Sequence, residues 1–176
     1  IELGELERAK PLIEEIEELL PAEKIFISIQ AAPPFVALVA YYCSLADRDL
    51  AETIVGEQKS RSKRYVKAMK KQCRRFAQRH AEGCRYAGIW HWQHGHARRA
   101  VKWWKRGIMR ARELQMEPEV ARINREIGCR ISEPGSPVSR VDGRSAQEYL
   151  REAATRFEAL AMETDLQGCR EMLRRA

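Results

Sequence analysis

The segment HWQHGH, residues 91–96, holds three of the chain's four histidines: His91, His94 and His96. His91 and His94 stand one helical turn apart, and Cys84 lies seven residues before His91, on the same side of a helix. Imidazole and thiolate are good ligands for zinc or copper, so Cys84, His91 and His94 have the types and spacing of a metal site. Gly95, however, puts a turn inside the cluster, and no acidic residue stands among the three to orient the imidazoles. Cys84 with His80 or His91 is also the one pairing of nucleophile and base close in sequence. Two residues on one helical stripe explain it without catalysis. The glutamates of 14–18 fall on the outer face of a helix and read as solvated. GxxxxGKS/T, GxGxxG and HExxH are absent. The expectation is a chain with no catalytic residue, no resident metal and no cofactor.

Charge is the stronger signal. Residues 57–112 hold eighteen Lys and Arg against Glu57 and Glu82, a net of +16, while residues 1–24 hold eight Glu against Arg8, Lys10 and Lys24, a net of −5. A basic block of this density suits an acidic protein surface or nucleic acid. Tyr65, Tyr86, Trp90 and Trp92 within it could stack bases beside phosphate contacts. On helices, though, Lys102, Lys105 and Arg106 leave one side while Arg98, Arg99 and Arg110 leave others. That dispersal favours a solvated or protein-facing surface.

The chain has 176 residues, 44% hydrophobic and 32% charged, enough for one ordinary domain with a sizeable core. No window approaches eighteen apolar residues, so no membrane span is expected. Cys43, Cys73, Cys84, Cys129 and Cys169 are an odd, scattered set with no CxxC pair, which points to free thiols in a reducing, cytoplasmic setting. The chain opens on Ile1 without a basic-then-apolar leader, and it is expected to be a piece of a longer protein.

Helical spacing dominates. Leu6, Leu12, Ile13, Ile16, Leu19 and Leu20 make one amphipathic helix, ended at Leu20-Pro21. Ile25, Ile27 and Ile29 alternate, but a lone strand has no partner here, so a short helix or connector is expected. Pro34 starts a helix with Val36, Val39, Ala40 and Cys43 on its buried side, and helical character runs on to about Gly56. A basic helix follows, striped by Tyr65, Met69, Cys73 and Phe76. Helices are then expected at about 82–94, 97–116 and from Pro118 to about Ile131. The Pro/Gly loop at about 132–144 precedes a helix capped by Ser145 and Glu148, running to about Met162. Thr164 or Asp165 caps the last one.

Shifted by 35 residues, VKWWKRGIMR lies over VKAMKKQCRR from Val66, with Trp104 on Met69 and Ile108 on Cys73. Shifted forward by 46, Arg110, Leu114, Met116 and Glu117 match Arg156, Leu160, Met162 and Glu163, with Trp103 on Tyr149 and Trp104 on Leu150. Trp103 and Trp104 therefore read as helix-packing residues. The period, the Ala87-Gly88 pair, Gly95 at the turn, Ala100 and Trp104 resemble the tetratricopeptide repeat over residues 60–176. Cys84 and His91 depart from that family's usual Trp and Tyr. Residues 90–128 and 149–173 also look like the helical repeat tails of large bacterial signalling ATPases, including those joined to class III adenylate or guanylate cyclases. Pentatricopeptide repeats, which read single-stranded RNA, share the period but need more units.

These resemblances imply an all-α, right-handed solenoid of antiparallel helix pairs, about eight or nine helices, with residues 1–59 as capping or joining helices and 60–176 as the repeats. They imply a non-catalytic scaffold or sensor binding a peptide, a protein partner or a sister domain, with single-stranded RNA or DNA as the alternative ligand. A homodimer through unpaired ends is a further expectation. Carrying over the family's groove positions assigns Arg85, Ile89, Trp92 and Gln93 from one unit, Glu117, Val120, Asn124 and Ile127 from the next, and Arg170 and Arg174 from the last helix.

Overall fold

A computed structural model describes residues 3–19, 32–48 and 56–175. The protein is all-α. Among the described residues eight helices follow one another: α1 (Leu3–Leu19), α2 (Ala32–Arg48), α3 (Gly56–Cys73), α4 (Ala77–Gln93), α5 (Ala97–Glu113), α6 (Glu117–Ser132), α7 (Ala146–Ala159) and α8 (Glu163–Arg175). None is long and apolar enough to cross a membrane. Class and helix count agree with the sequence expectation. The expected helix end at Leu20-Pro21, the alternating isoleucines at 25–29 and the expected helical run over 49–55 lie outside the described residues.

Three boundaries differ from expectation. α4 starts at Ala77, not at about 82, because the chain turns at Arg74 and Arg75 and is extended at Phe76 (φ −120°). α7 stops at Ala159, since Leu160, Ala161 and Met162 form a turn, and α8 therefore starts at Glu163, ahead of Thr164 and Asp165. At the head of α7 the expected capping box is present: the Glu148 N–H donates to Ser145 Oγ and the Ser145 N–H donates to Glu148 Oε2 at 2.7 Å.

Sequential helices pack as hairpins, and α4 also lies against both α2 and α6. One core runs through them, with Leu38 and Val39 of α2, Tyr65 and Met69 of α3, Trp104 of α5 and Ile123 and Ile127 of α6. Ala121, Ala153, Phe157, Leu166 and Cys169 fill a second core under α8. The repeat register is visible in two close approaches. Trp104 closes against Gly88, and Leu150 closes against Gly128, where an added Cβ would meet Leu150 Cγ at 2.7 Å. Met69, Trp104 and Leu150, equivalent at shifts of 35 and 46, are all fully buried. The helices that follow start at Ala77, Glu117 and Glu163, so the first of these offsets is 117 − 77 = 40 and the second 163 − 117 = 46. α3 ends four residues after Met69, whereas α5 runs nine beyond Trp104, which accounts for the five-residue discrepancy.

Candidate functional site

Two faces could meet a ligand, and they differ in how far their polar groups are already used. On the α2–α4–α6 side the centre is Arg130, a buried residue of α6. Its guanidinium grips Asp47 of α2 with two bonds of 2.7 and 2.6 Å, donates from Nε to Glu126 at 2.7 Å and reaches Glu133 at 2.9 Å. Burial opposes that charge, but the surrounding carboxylates outweigh it and hold Arg130 protonated. Gln93 donates to Asp47 and to the Cys43 carbonyl, both at 2.7 Å. The Trp92 indole N–H donates to Glu133 at 3.0 Å while its ring packs on Trp104, centroids 5.6 Å apart. Arg85 is spent on Glu119 at 2.6 Å and lies over the Tyr86 ring.

The assigned groove positions therefore do not form one open surface. Ile89, Val120, Asn124 and Ile127 are buried between helices. Glu117 pairs with Arg156. Arg170 and Arg174 are exposed on α8, where Arg170 meets Glu158 at 3.1 Å. A 35-residue step from Arg85, Ile89 and Trp92 lands on Val120, Asn124 and Ile127. The observed 40-residue step lands on Arg125, Cys129 and Ser132, none of them buried. Asn124 is fully buried with neither amide atom hydrogen-bonded; nothing in the structure accounts for it.

The cysteine and histidines diverge. Cys84 sits in the core between α4 and α5, and burial pushes its thiol up to about 11. His94 stacks on Trp90 and bonds to the Trp90 carbonyl through Nδ1. His91 lies parallel to Trp103, centroids 6.5 Å apart. Among the described residues no three His, Cys, Asp or Glu side chains converge on a metal position. Nor does a hydrogen bond join Cys84 to His80 or His91.

The second face belongs to α3 and α5. Lys63, Lys67 and Lys71 on α3, Arg75 in the turn after it, and Arg98, Arg99 and Lys102 on α5 are exposed with no carboxylate at ion-pair distance among the described residues. Trp103 stands between the rows, half-buried, with Lys70 Nζ 5.1 Å from its ring centre and the Arg106 guanidinium at 5.7 Å. Partial burial, then the nearby Arg74 and Arg99, hold Lys70 below the usual lysine range. Burial and the same cations, Lys70 and Arg99 with His96 and His94, bring His91 down to about 4. His80 is lowered by burial and by Arg106, Arg110 and Arg74. Burial is the first cause of each of these shifts, and the cations of this basic belt add to it. No family model, curated protein or solved structure matches the chain.

Sequence reading placed Trp103 with Trp104 in the core. Only Trp104 is there. Ala100, Trp104, Gly107 and Ala111 are the buried line of α5, at steps of four, three and four, and Trp103 falls beside it. That period was the available signal.

Proposed function

We propose that the chain is a non-catalytic interaction module, a tetratricopeptide-like solenoid of right-handed sense within a larger bacterial signalling protein, and that its α3–α5 belt holds an acidic segment of a protein partner or sister domain. The observation that carries this is the row of seven exposed cations without carboxylate partners on either side of Trp103. Solvated like charges gain little from one another, so a partner bringing several carboxylates relieves repulsion at many points. Each exposed pair stabilises by about 1 kcal/mol or less, so affinity comes from the number engaged and falls with salt. Trp103 adds an apolar contact at the centre. Five free cysteines agree with a reducing, cytoplasmic setting.

The half-exposed ring of Trp103 between Lys70 and Arg106 also supports a second reading, single-stranded RNA or DNA with a base on the indole. Fluorescence anisotropy separates the two. A labelled glutamate-rich peptide and a labelled single-stranded RNA are titrated across a salt series with the native chain and with Lys67→Glu/Lys102→Glu. The scaffold reading expects peptide binding at low salt that the double variant weakens about tenfold or more. Tighter RNA binding with a steep salt slope selects the second reading. Binding of neither overturns both.

A further inference from the structure

The acidic helix α1 and the basic helix α3 both pack against α2 and touch through Glu17 and Arg61, and three lysines of the belt, Lys63, Lys67 and Lys71, lie on α3. α1 carries Glu14, Glu15 and Glu18 on its exposed side, none with a cation partner among the described residues. Leu12 and Leu19 stand beside them, 62% and 70% exposed. α3 presents Lys63, Lys67 and Lys71, also exposed and without a carboxylate. The two helices meet where Glu17 accepts from Arg61 at 3.3 Å and from the Tyr42 hydroxyl at 2.7 Å. Leu6 and Ile13 of α1 and Tyr65, Val66 and Met69 of α3 turn inward, so the acidic and basic strips share one outer surface with the Glu17–Arg61 pair at their border.

A surface with an acidic half beside a basic half is complementary to itself after a half-turn. We infer that two copies of this chain pair about a two-fold axis close to Glu17 and Arg61, α1 of each copy lying on α3 of the other. The steps from Glu14 to Glu18 and from Lys63 through Lys67 to Lys71 are each four residues, a rise of ~6 Å on a helix, so carboxylates and ammonium groups meet at matched intervals. The lysine stems cover Leu12 and Leu19 of the partner copy, removing from water two of the largest exposed apolar side chains. A two-fold arrangement uses each strip once and closes, so association stops at two. The contacts lie at the surface, so the dimer is weak and salt-sensitive.

Sedimentation velocity on the native chain tests this at about 0.05 M and about 0.5 M salt, where screening differs severalfold. A concentration-dependent dimer at low salt and a monomer at high salt are expected. Two variants sharpen it: Glu14→Lys/Glu15→Lys/Glu18→Lys reverses α1, and Lys63→Glu/Lys67→Glu/Lys71→Glu reverses α3. Each alone should lose at least about tenfold in dimer affinity. Mixed in equal amounts they should pair again, because both contacts of the mixed dimer are then of opposite sign. A native chain that stays monomeric at low salt overturns the inference. So do variants that dimerise unchanged, a mixture that stays monomeric, or growth beyond two copies. The α1 variant keeps the belt around Trp103 intact, so its peptide binding reports on the proposed function separately.

Discussion

Two adjacent tryptophans have opposite fates because one residue on a helix is a rotation of about 100°. Trp104 closes on Gly88 and donates its indole N–H to the Arg85 carbonyl at 3.2 Å, fully buried. Trp103 is turned toward the cations and covers His91 instead. His91 then sits where a positive charge is unwelcome: it is buried, its Nδ1 has no partner, and Lys70, Arg99, His96 and His94 surround it. Its folded-state value of about 4 lies below the ordinary ~6.5 of histidine. Between those values the unfolded chain binds a proton that the folded one refuses. Stability from this group is complete above about pH 6.5 and is lost as the pH falls toward 4. Denaturation midpoints at pH 7.5, 6 and 5 should therefore drop less for His91→Phe than for the native chain. Equal slopes for the two proteins would show that His91 is protonated as easily folded as unfolded.

Between helices, three turns have the same construction. After α4 the Gly95 N–H donates to the Trp92 carbonyl and the His96 N–H to that of His91. Gln115 and Met116 repeat this after α5, and Ala161 and Met162 after α7. This is the paired closure of a Schellman motif, which requires a left-handed residue at its centre. That residue is Gly95 (φ 73°) in the first turn but Gln115 (φ 55°) and Ala161 (φ 52°) in the others. A side chain there costs roughly 1–2 kcal/mol, offset in part by the entropy glycine loses on folding. Ala161→Gly should then raise stability by about 0.5–1 kcal/mol, and Gly95→Ala, with open space around its added Cβ, should lower it by a similar amount. Urea titrations measure both, and a destabilised Ala161→Gly would refute the strain argument. The same positions explain what sequence could and could not reveal. Ser145 and Glu148 announce a helix start because their side chains form the cap. The end of α7 at Ala159 goes unannounced, because neither Ala161 nor Leu160 carries a chemical mark of a stop. Helix periodicity located the buried stripes well, and the interruption at Arg74–Arg75 was hidden because Phe76 continues the stripe past it.

At the scale of the whole chain, the long-range ties were the least legible part. Arg130 and Asp47 are 83 residues apart, and neither has a sequence neighbour that predicts the other. The groove positions that the tetratricopeptide resemblance implies are dispersed for a related reason: α4 and α6 are displaced by 40 residues, and a step of 35 from Arg85, Ile89 and Trp92 lands on the buried Val120, Asn124 and Ile127. What the fold does with that displacement is to bring α2, α4 and α6 together around one guanidinium, so Arg130 couples the first helix pair to the third. Its side chain is 9% exposed, and Arg130→Met would leave Asp47, Glu126 and Glu133 facing one another without a cation. Asp47 and Glu133 are 38% and 40% exposed, so solvent screens them and the loss, about 1–3 kcal/mol, falls mainly on Glu126. Asp47→Ala should cost less, since Arg130 keeps two carboxylates. The loss in Arg130→Met should also be uneven. α1–α3 reach α6 chiefly through α4 and this hub, whereas α4–α7 keep Trp104, Ile123 and Leu150 packed. Hydrogen exchange should therefore accelerate in α2 and α3 before α5 and α6, and tryptophan-detected unfolding, which follows α4 and α5, should fall out of step with loss of helix. A single cooperative transition in Arg130→Met, shifted by under about 1 kcal/mol, would mean that apolar packing alone joins the pairs and that the buried ion set contributes no coupling.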